Sequence, residues 1–245
     1  MQKSKWVMQS LSGSEEEGIV AEYEMGKEQA SLFAAEAPIE VDTSLAMIVN
    51  RIGGHLTDRM TNKQRKFTFH VVDLPEPNAF ALPGGFIFVT TPLLGMCGLS
   101  AENLQVLGDS FSMSKIPGEI RDEIAFVLGH EMAHVLRGHA MERMVNSTVV
   151  NTATRAIPVT GMMGRLLLGA GSKAMHSAYS QAQELEADEL GARVAAAAGY
   201  VPGGAITMLQ RLKELSAKSD DGLGDYFATH PPFDIRIEAL QKLIK

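Results

Sequence analysis

The sequence predicts an α+β fold, with helices through most of its length and one small sheet. Three observations predict it. Several long stretches carry helix start and stop signals around an apolar stripe. Two short runs, 67–72 and 86–90, are rich in β-branched and aromatic residues. One helical stretch carries His130-Glu131-Met132-Ala133-His134, an H-E-x-x-H pentapeptide. The 245 residues, 45% hydrophobic and 21% charged, suffice for one large domain or two small ones.

Taken in order, Ser14 can cap a first helix that runs to 37. Glu15, Glu16 and Glu17 favour its first turn and Pro38 stops it. Asp42 or Thr43 can cap a second helix through 60, with Leu45, Ile48, Val49, Ile52 and Leu56 as its stripe. His55 on that helix fits no ligand spacing and reads as an ordinary half-exposed histidine. Residues 67–72 alternate as a strand, with His70 as the solvent-facing member. Prolines and glycines make 75–85 a loop, and 86–90 is the next strand. Pro83, Gly84 and Gly85 place that strand at a sheet edge. An exposed edge can add an extended peptide as an extra strand. A short helix near 100–107 leads to the H-E-x-x-H helix, which starts after Pro117-Gly118 and runs to about 145. His139 is five residues past His134, a helical step of about 500°, so it is expected to turn away from the pentapeptide's histidines. An alanine-rich helix ends at Gly199, and a last helix covers 233–244.

The net charge of −7 argues against a nucleic-acid partner, since no broad basic face exists to neutralise phosphates. The one cysteine, Cys97, excludes an intrachain disulfide and a cysteine-rich zinc site. No apolar core follows the basic start of the chain. A cytoplasmic protein is therefore expected, or a periplasmic one if the sequence begins after a removed signal. The longest apolar stretch, 156–175, is interrupted by Pro158, Arg165, Lys173 and four glycines, so a peripheral membrane contact is the most it supports.

Residues four apart share a helix face, so His130 and His134 can both present a ring nitrogen to one Zn²⁺. Glu131 is next to the first of them, placed to act as general base on metal-bound water. Chance alone yields this pentapeptide in about one chain in a hundred of this length. Catalytic zinc commonly adds one Glu to two His. Downstream, Glu184 and Asp188 are four apart on one face. Glu184 can ligate while Asp188 hydrogen-bonds a ligand histidine; Glu186 is the rival ligand. His230, pinned by Pro231-Pro232, and Arg236 can donate hydrogen bonds to an oxyanion.

Four motifs in order resemble one family, the zinc metallopeptidases that include the CAAX prenyl proteases, the HtpX-type proteases and the Oma-type quality-control proteases. They are N-A-F-A-L-P-G-G from Asn78 to Gly85, H-E-M-A-H from His130 to His134, E-L-E-A-D from Glu184 to Asp188, and T-H-P-P-F-D-I-R from Thr229 to Arg236. The resemblance implies a mainly helical gluzincin domain with a small antiparallel or mixed sheet, at 38–245, with residues 1–37 packed on it. It implies one Zn²⁺ per chain held by His130, His134 and Glu184, with Glu131 as base and Asp188 in support. It implies that His230 and Arg236 sit over the active site, with His230 stabilising the transition state or gating the metal. It implies that an edge strand near Gly85 to Thr90 aligns substrate, with Asn78, Ala79, Phe80, Pro83, Gly84, Gly85 and Phe86 as the substrate-binding residues. The expected substrate is polypeptide, misfolded protein included. With no spanning helix in the sequence, prenylated peptides are not expected. The link from Cys97 to Ile116 is longer than the family's and is given no role. Two rival readings stand beside the endopeptidase. One is a chaperone-like module that holds peptides on the same edge with a gated or structural zinc. The other is a metal-dependent hydrolase of a non-peptide substrate.

Overall fold

The Ser14 hydroxyl accepts a hydrogen bond from the Glu17 amide, and the Glu17 carboxylate accepts one from the Ser14 amide, so the first helix starts with both orphan donors satisfied. This helix, α1 (Glu15–Glu36), ends before Pro38 as its sequence signals. The computed structural model describes residues 14–40, 43–105, 113–144, 179–218 and 233–244. The 156–175 stretch, the 229–232 loop, position 145 and residues 106–112 of the long link lie outside the described residues. After α1 come β1 (Ile39–Glu40), α2 (Ser44–Arg59), β2 (Thr68–Val72), β3 (Ala79–Leu82), a 3₁₀ turn (Pro83–Gly85) and β4 (Phe86–Thr90). Then follow α3 (Thr91–Met96), α4 (Ala101–Gln105), α5 (Gly118–Leu136), α6 (Gln181–Ala197), α7 (Gly203–Lys218) and α8 (Phe233–Leu243). The fold is mainly helical α+β.

The sheet is mixed, in the order β1-β2-β4-β3. β2 and β4 run parallel; β1 and β3 pair antiparallel to their neighbours. Strand 86–90 was expected at an edge, and the structure corrects this: β4 is interior and all five of its residues are buried. Its unbroken run Phe-Ile-Phe-Val-Thr is that of a strand covered on both faces. Pro83, Gly84 and Gly85 belong to the turn before it, where Gly84 (φ +77°) and Gly85 (φ +94°) take a left-handed backbone. The edge strand is β3, in the stretch expected as loop.

One sheet face packs Val72, Phe80, Leu82, Phe86 and Phe88 under α1, with Phe33 set edge-on to Phe80 and Phe88. His70 shares that face: it is half-buried and stacked on Phe88 rather than turned to solvent. The other face carries Phe69, Val71, Ala81, Ile87 and Val89 into the main core with α2 and α5. The expected α2 stripe, Leu45, Ile48, Val49, Ile52 and Leu56, is buried in full. α1 also buries Glu22, whose carboxylate accepts the Gly84 amide and pairs with Arg65 at 2.9 Å. A side chain at Gly26 would collide with the Pro83 carbonyl, so glycine is what lets α1 lie on the turn.

Candidate metal centre

α5 is apolar almost all round, and every residue from Glu123 to Val135 is buried. α6 begins at a second capping box, Ser180 with Gln183. The two helices cross at glycines. A Cβ on Gly191 would lie 2.6 Å from the His130 nitrogen, and one on Gly129 would lie 2.8 Å from the Gly191 carbonyl oxygen. That close approach sets Asp188 and Glu184, one and two turns before Gly191, against the histidines of α5.

The Nε2 atoms of His130 and His134 are 3.1 Å apart. Glu184 Oε1 lies 3.3 Å from His134 Nε2, and Oε2 lies 3.7 Å from His130 Nε2. All three side chains are buried, with candidate ligand atoms within 4.8 Å of one another. A tetrahedral zinc site with bonds of about 2.1 Å has ligand–ligand edges of about 3.4 Å, so this triangle of two nitrogens and an oxygen fits such an ion. Glu131 is buried beside His130 on the same helix. Glu186 is outside the triangle.

Behind the triangle each histidine has a support. His130 Nδ1 lies 2.9 Å from Asp188 Oδ1. Arg236 is fully buried; it grips Asp188 through Nε and Nη2, both at 2.7 Å, and Glu184 through Nη1 at 2.7 Å. Its guanidinium thus ties the Glu184 carboxylate to the carboxylate behind His130. Burial would push the His130 imidazolium down, but the hydrogen bond to Asp188 and the charges of Glu184 and Asp188 hold it above its ordinary value. Burial likewise works against the Asp188 carboxylate, yet Arg236 and His130 keep its pKa below the usual range.

His134 is backed by a residue expected to point away. α5 does not continue to 145; it stops at Leu136. Gly138 turns the chain at φ +74°, and helix resumes over 139–144. The 500° step therefore does not apply, and His139 folds back so that its Nδ1 lies 3.1 Å from His134 Nδ1. His139 Nε2 reaches Glu186 at 3.3 Å, and Glu186 pairs with Arg137 at 3.0 Å. Burial lowers the His139 pKa against the opposing pull of Glu186. Tyr179, just ahead of the α6 cap, stacks on His134 with centroids 3.7 Å apart and planes 12° apart. The guanidinium carbon of Arg143 lies 4.2 Å from the same ring's centre, which puts it on the opposite face. Arg143 then donates to the Ala81 carbonyl at 3.2 Å.

That last bond lies on the side of β3 turned away from β4, where the strand is buried. The Asn78 carbonyl accepts from the Thr90 amide, so residues 78, 80 and 82 turn their backbone groups to β4. Ala79 and Ala81 turn theirs outward. Asn78 precedes the strand, and its buried side-chain oxygen takes no hydrogen bond from the described residues. Phe80 and Phe86 pack on the sheet face under α1, and the 83–85 turn lies against α1 and Lys66. His230 lies outside the described residues. The missed residues left small signals: Gly138 after a basic last turn, as helix ends show, and the Ser180-x-x-Gln183 box that places Tyr179 at a helix entry.

A model of peptidase family M48 matches residues 44–244. Among curated proteins the chain is 29% identical over 181 residues to the mitochondrial metalloendopeptidase OMA1 of Schizosaccharomyces pombe, covering 72% of this chain and 46% of that one. It is 28% identical over 227 residues to the beta-barrel assembly-enhancing protease of Yersinia pestis, covering 88% and 42%. To the metalloprotease LoiP of Escherichia coli it is 27% identical over 202 residues, covering 80% and 68%. The chain thus spans less than half the length of the first two relatives.

Proposed function

The chain belongs to peptidase family M48, and from that membership and the geometry of its site we propose that it is a zinc endopeptidase acting in protein quality control. One observation carries the reading: two histidines and a glutamate, drawn from two crossing helices, converge in a buried triangle with Glu131 beside it. His130, His134 and Glu184 would hold one zinc ion. Bound there, the ion supplies Lewis acidity, polarising a peptide carbonyl and acidifying water. Glu131 takes the proton of the attacking water and delivers it to the leaving amine. Asp188 keeps the Nδ1 proton on His130 and so turns its Nε2 lone pair toward the site. Arg236, committed to Glu184 and Asp188, acts here as the clamp on both carboxylates rather than as an oxyanion donor. His230 is assigned the oxyanion hydrogen bond on its motif alone.

The peptide would add to β3 on the side away from β4, exchanging backbone hydrogen bonds with Ala79 and taking the Ala81 carbonyl over from Arg143, with the Asn78 side-chain oxygen as a further acceptor for a peptide N–H. The charge of −7 leaves nucleic acid outside this reading. No described helix is long and apolar enough to cross a membrane.

The test is metal content and casein cleavage on wild-type, Glu131→Gln and Glu184→Ala protein. The expected result is one zinc per wild-type chain and cleavage abolished by o-phenanthroline. Glu131→Gln should keep its zinc and lose cleavage by about 10²–10⁴-fold. Glu184→Ala should lose both. Full cleavage by Glu131→Gln would end the assignment. Zinc without any cleavage in the wild type would favour the peptide-holding module.

A further inference from the structure

The two histidines of the triangle are backed in different ways. His130 meets a carboxylate, Asp188, fixed by a buried arginine. His134 meets another imidazole. For His134 to offer Nε2 to a metal, its proton must sit on Nδ1, and the only direction left for the 3.1 Å contact is donation from His134 Nδ1 to His139 Nδ1. A neutral imidazole has one donor and one acceptor nitrogen. His139 can accept at Nδ1 only if its own proton is on Nε2, and Nε2 is the atom that faces the Glu186 carboxylate at 3.3 Å. Glu186 is in turn held by Arg137 at 3.0 Å. The donors and acceptors therefore run one way, from His134 through His139 to Glu186, with Arg137 at the end.

Resting on the metal-centre reading above, we propose that His139 is the positioning residue for His134, and that Glu186 sets the tautomer in which His139 can do this. His139 touches neither metal nor substrate; it acts through the ligand. Its place depends on the helix break, because Gly138 with φ +74° returns the chain over the back of His134. The two supports also differ in charge. Asp188 offers a carboxylate to His130, whereas His134 receives a neutral acceptor with its carboxylate one ring further out. Glu186 and Arg137 are both about half exposed, so solvent reaches this end of the chain of hydrogen bonds.

The experiment measures zinc affinity by competition with a chromophoric chelator, and the visible spectrum of the Co²⁺-substituted protein. It uses the full chain as wild type, His139→Phe, His139→Asn, Glu186→Ala and Glu186→Gln, with circular dichroism as the check on folding. His139→Phe keeps the ring's bulk but removes the acceptor, and zinc affinity should fall about 10–100-fold with a changed Co²⁺ spectrum. His139→Asn presents an amide oxygen near the former Nδ1 and should recover most of that loss. Glu186→Ala, at an exposed position that leaves the core intact, should weaken zinc severalfold, and Glu186→Gln should restore it. Wild-type affinity and spectrum in both His139→Phe and Glu186→Ala would overturn the proposal. So would a folded His139→Asn as weak as His139→Phe, since bulk rather than the acceptor would then matter. A wild type that binds no zinc would instead overturn the metal-centre reading, and this inference with it.

Discussion

Arg236 shows how much one side chain carries here. It is fully buried and bonded to two carboxylates that converge on one site. Removing one partner of such a network leaves the others charged and undersolvated, at a cost of about 3–5 kcal/mol. Arg236→Met should therefore unfold at markedly lower urea concentration and lose zinc, while Arg236→Lys, which keeps the charge but not the two-pronged grip, should fall between it and wild type. A wild-type urea midpoint for Arg236→Met would contradict this account of the clamp. His70 gives a cleaner test of pH. Burial holds its pKa below the ordinary 6.5, so the folded chain binds its proton less readily than the unfolded one. Its neutral form is fully accommodated above pH 6.5, and stability is lost as pH falls from 6.5 toward the lower folded value. Replacing it as His70→Phe should flatten that part of the stability–pH curve, read by urea unfolding between pH 7 and 5 (about the window of an ordinary histidine).

Among the elements, the crossing of α5 and α6 decides whether the candidate ligands meet. Gly191 has no room for a methyl group: its Cβ would sit 2.6 Å from the His130 nitrogen. Gly191→Ala should cost about 1–3 kcal/mol through overpacking and should also weaken zinc binding, because the helices can relieve the clash only by moving Glu184 away from the histidines. An Ala variant with unchanged zinc affinity would show that the crossing has slack. The pentapeptide, the E-L-E-A-D face and the α2 stripe were legible in the sequence, since helical spacing alone puts those residues on one side. The fate of His139 was not. A residue count assumes an unbroken helix, and one left-handed glycine cancels it. Nor was β3 legible: Ala-Phe-Ala-Leu between Asn78 and Pro83 has little β character, and only pairing with β4 makes it a strand.

At the scale of the whole molecule, α1 and one face of the sheet share a hydrophobic layer. Phe33 is 1% exposed and meets Phe80 and Phe88 edge-on. Phe33→Ala should destabilise by about 3–5 kcal/mol. If α1 folds as part of the sheet domain, unfolding stays a single transition by fluorescence and circular dichroism, shifted to lower urea. Two separated transitions would make residues 1–37 a unit of their own. The same packing explains why Gly84 and Gly85 lie where they do. Glu22 and the close approach at Gly26 bring α1 onto the turn.

Local sequence was enough to mark the residues of the candidate metal site. Helical periodicity is local, so the spacing of His130, Glu131 and His134, and of Glu184 and Asp188, sufficed to mark two faces of metal-binding type. Tertiary structure decided which faces meet and what stands behind them. The order of strands, the burial of Arg236 against both carboxylates and the return of His139 onto His134 each join residues distant in sequence or separated by a break in helical phase. Such contacts depend on packing between elements and on the backbone angle of a single glycine, and no local periodicity records either.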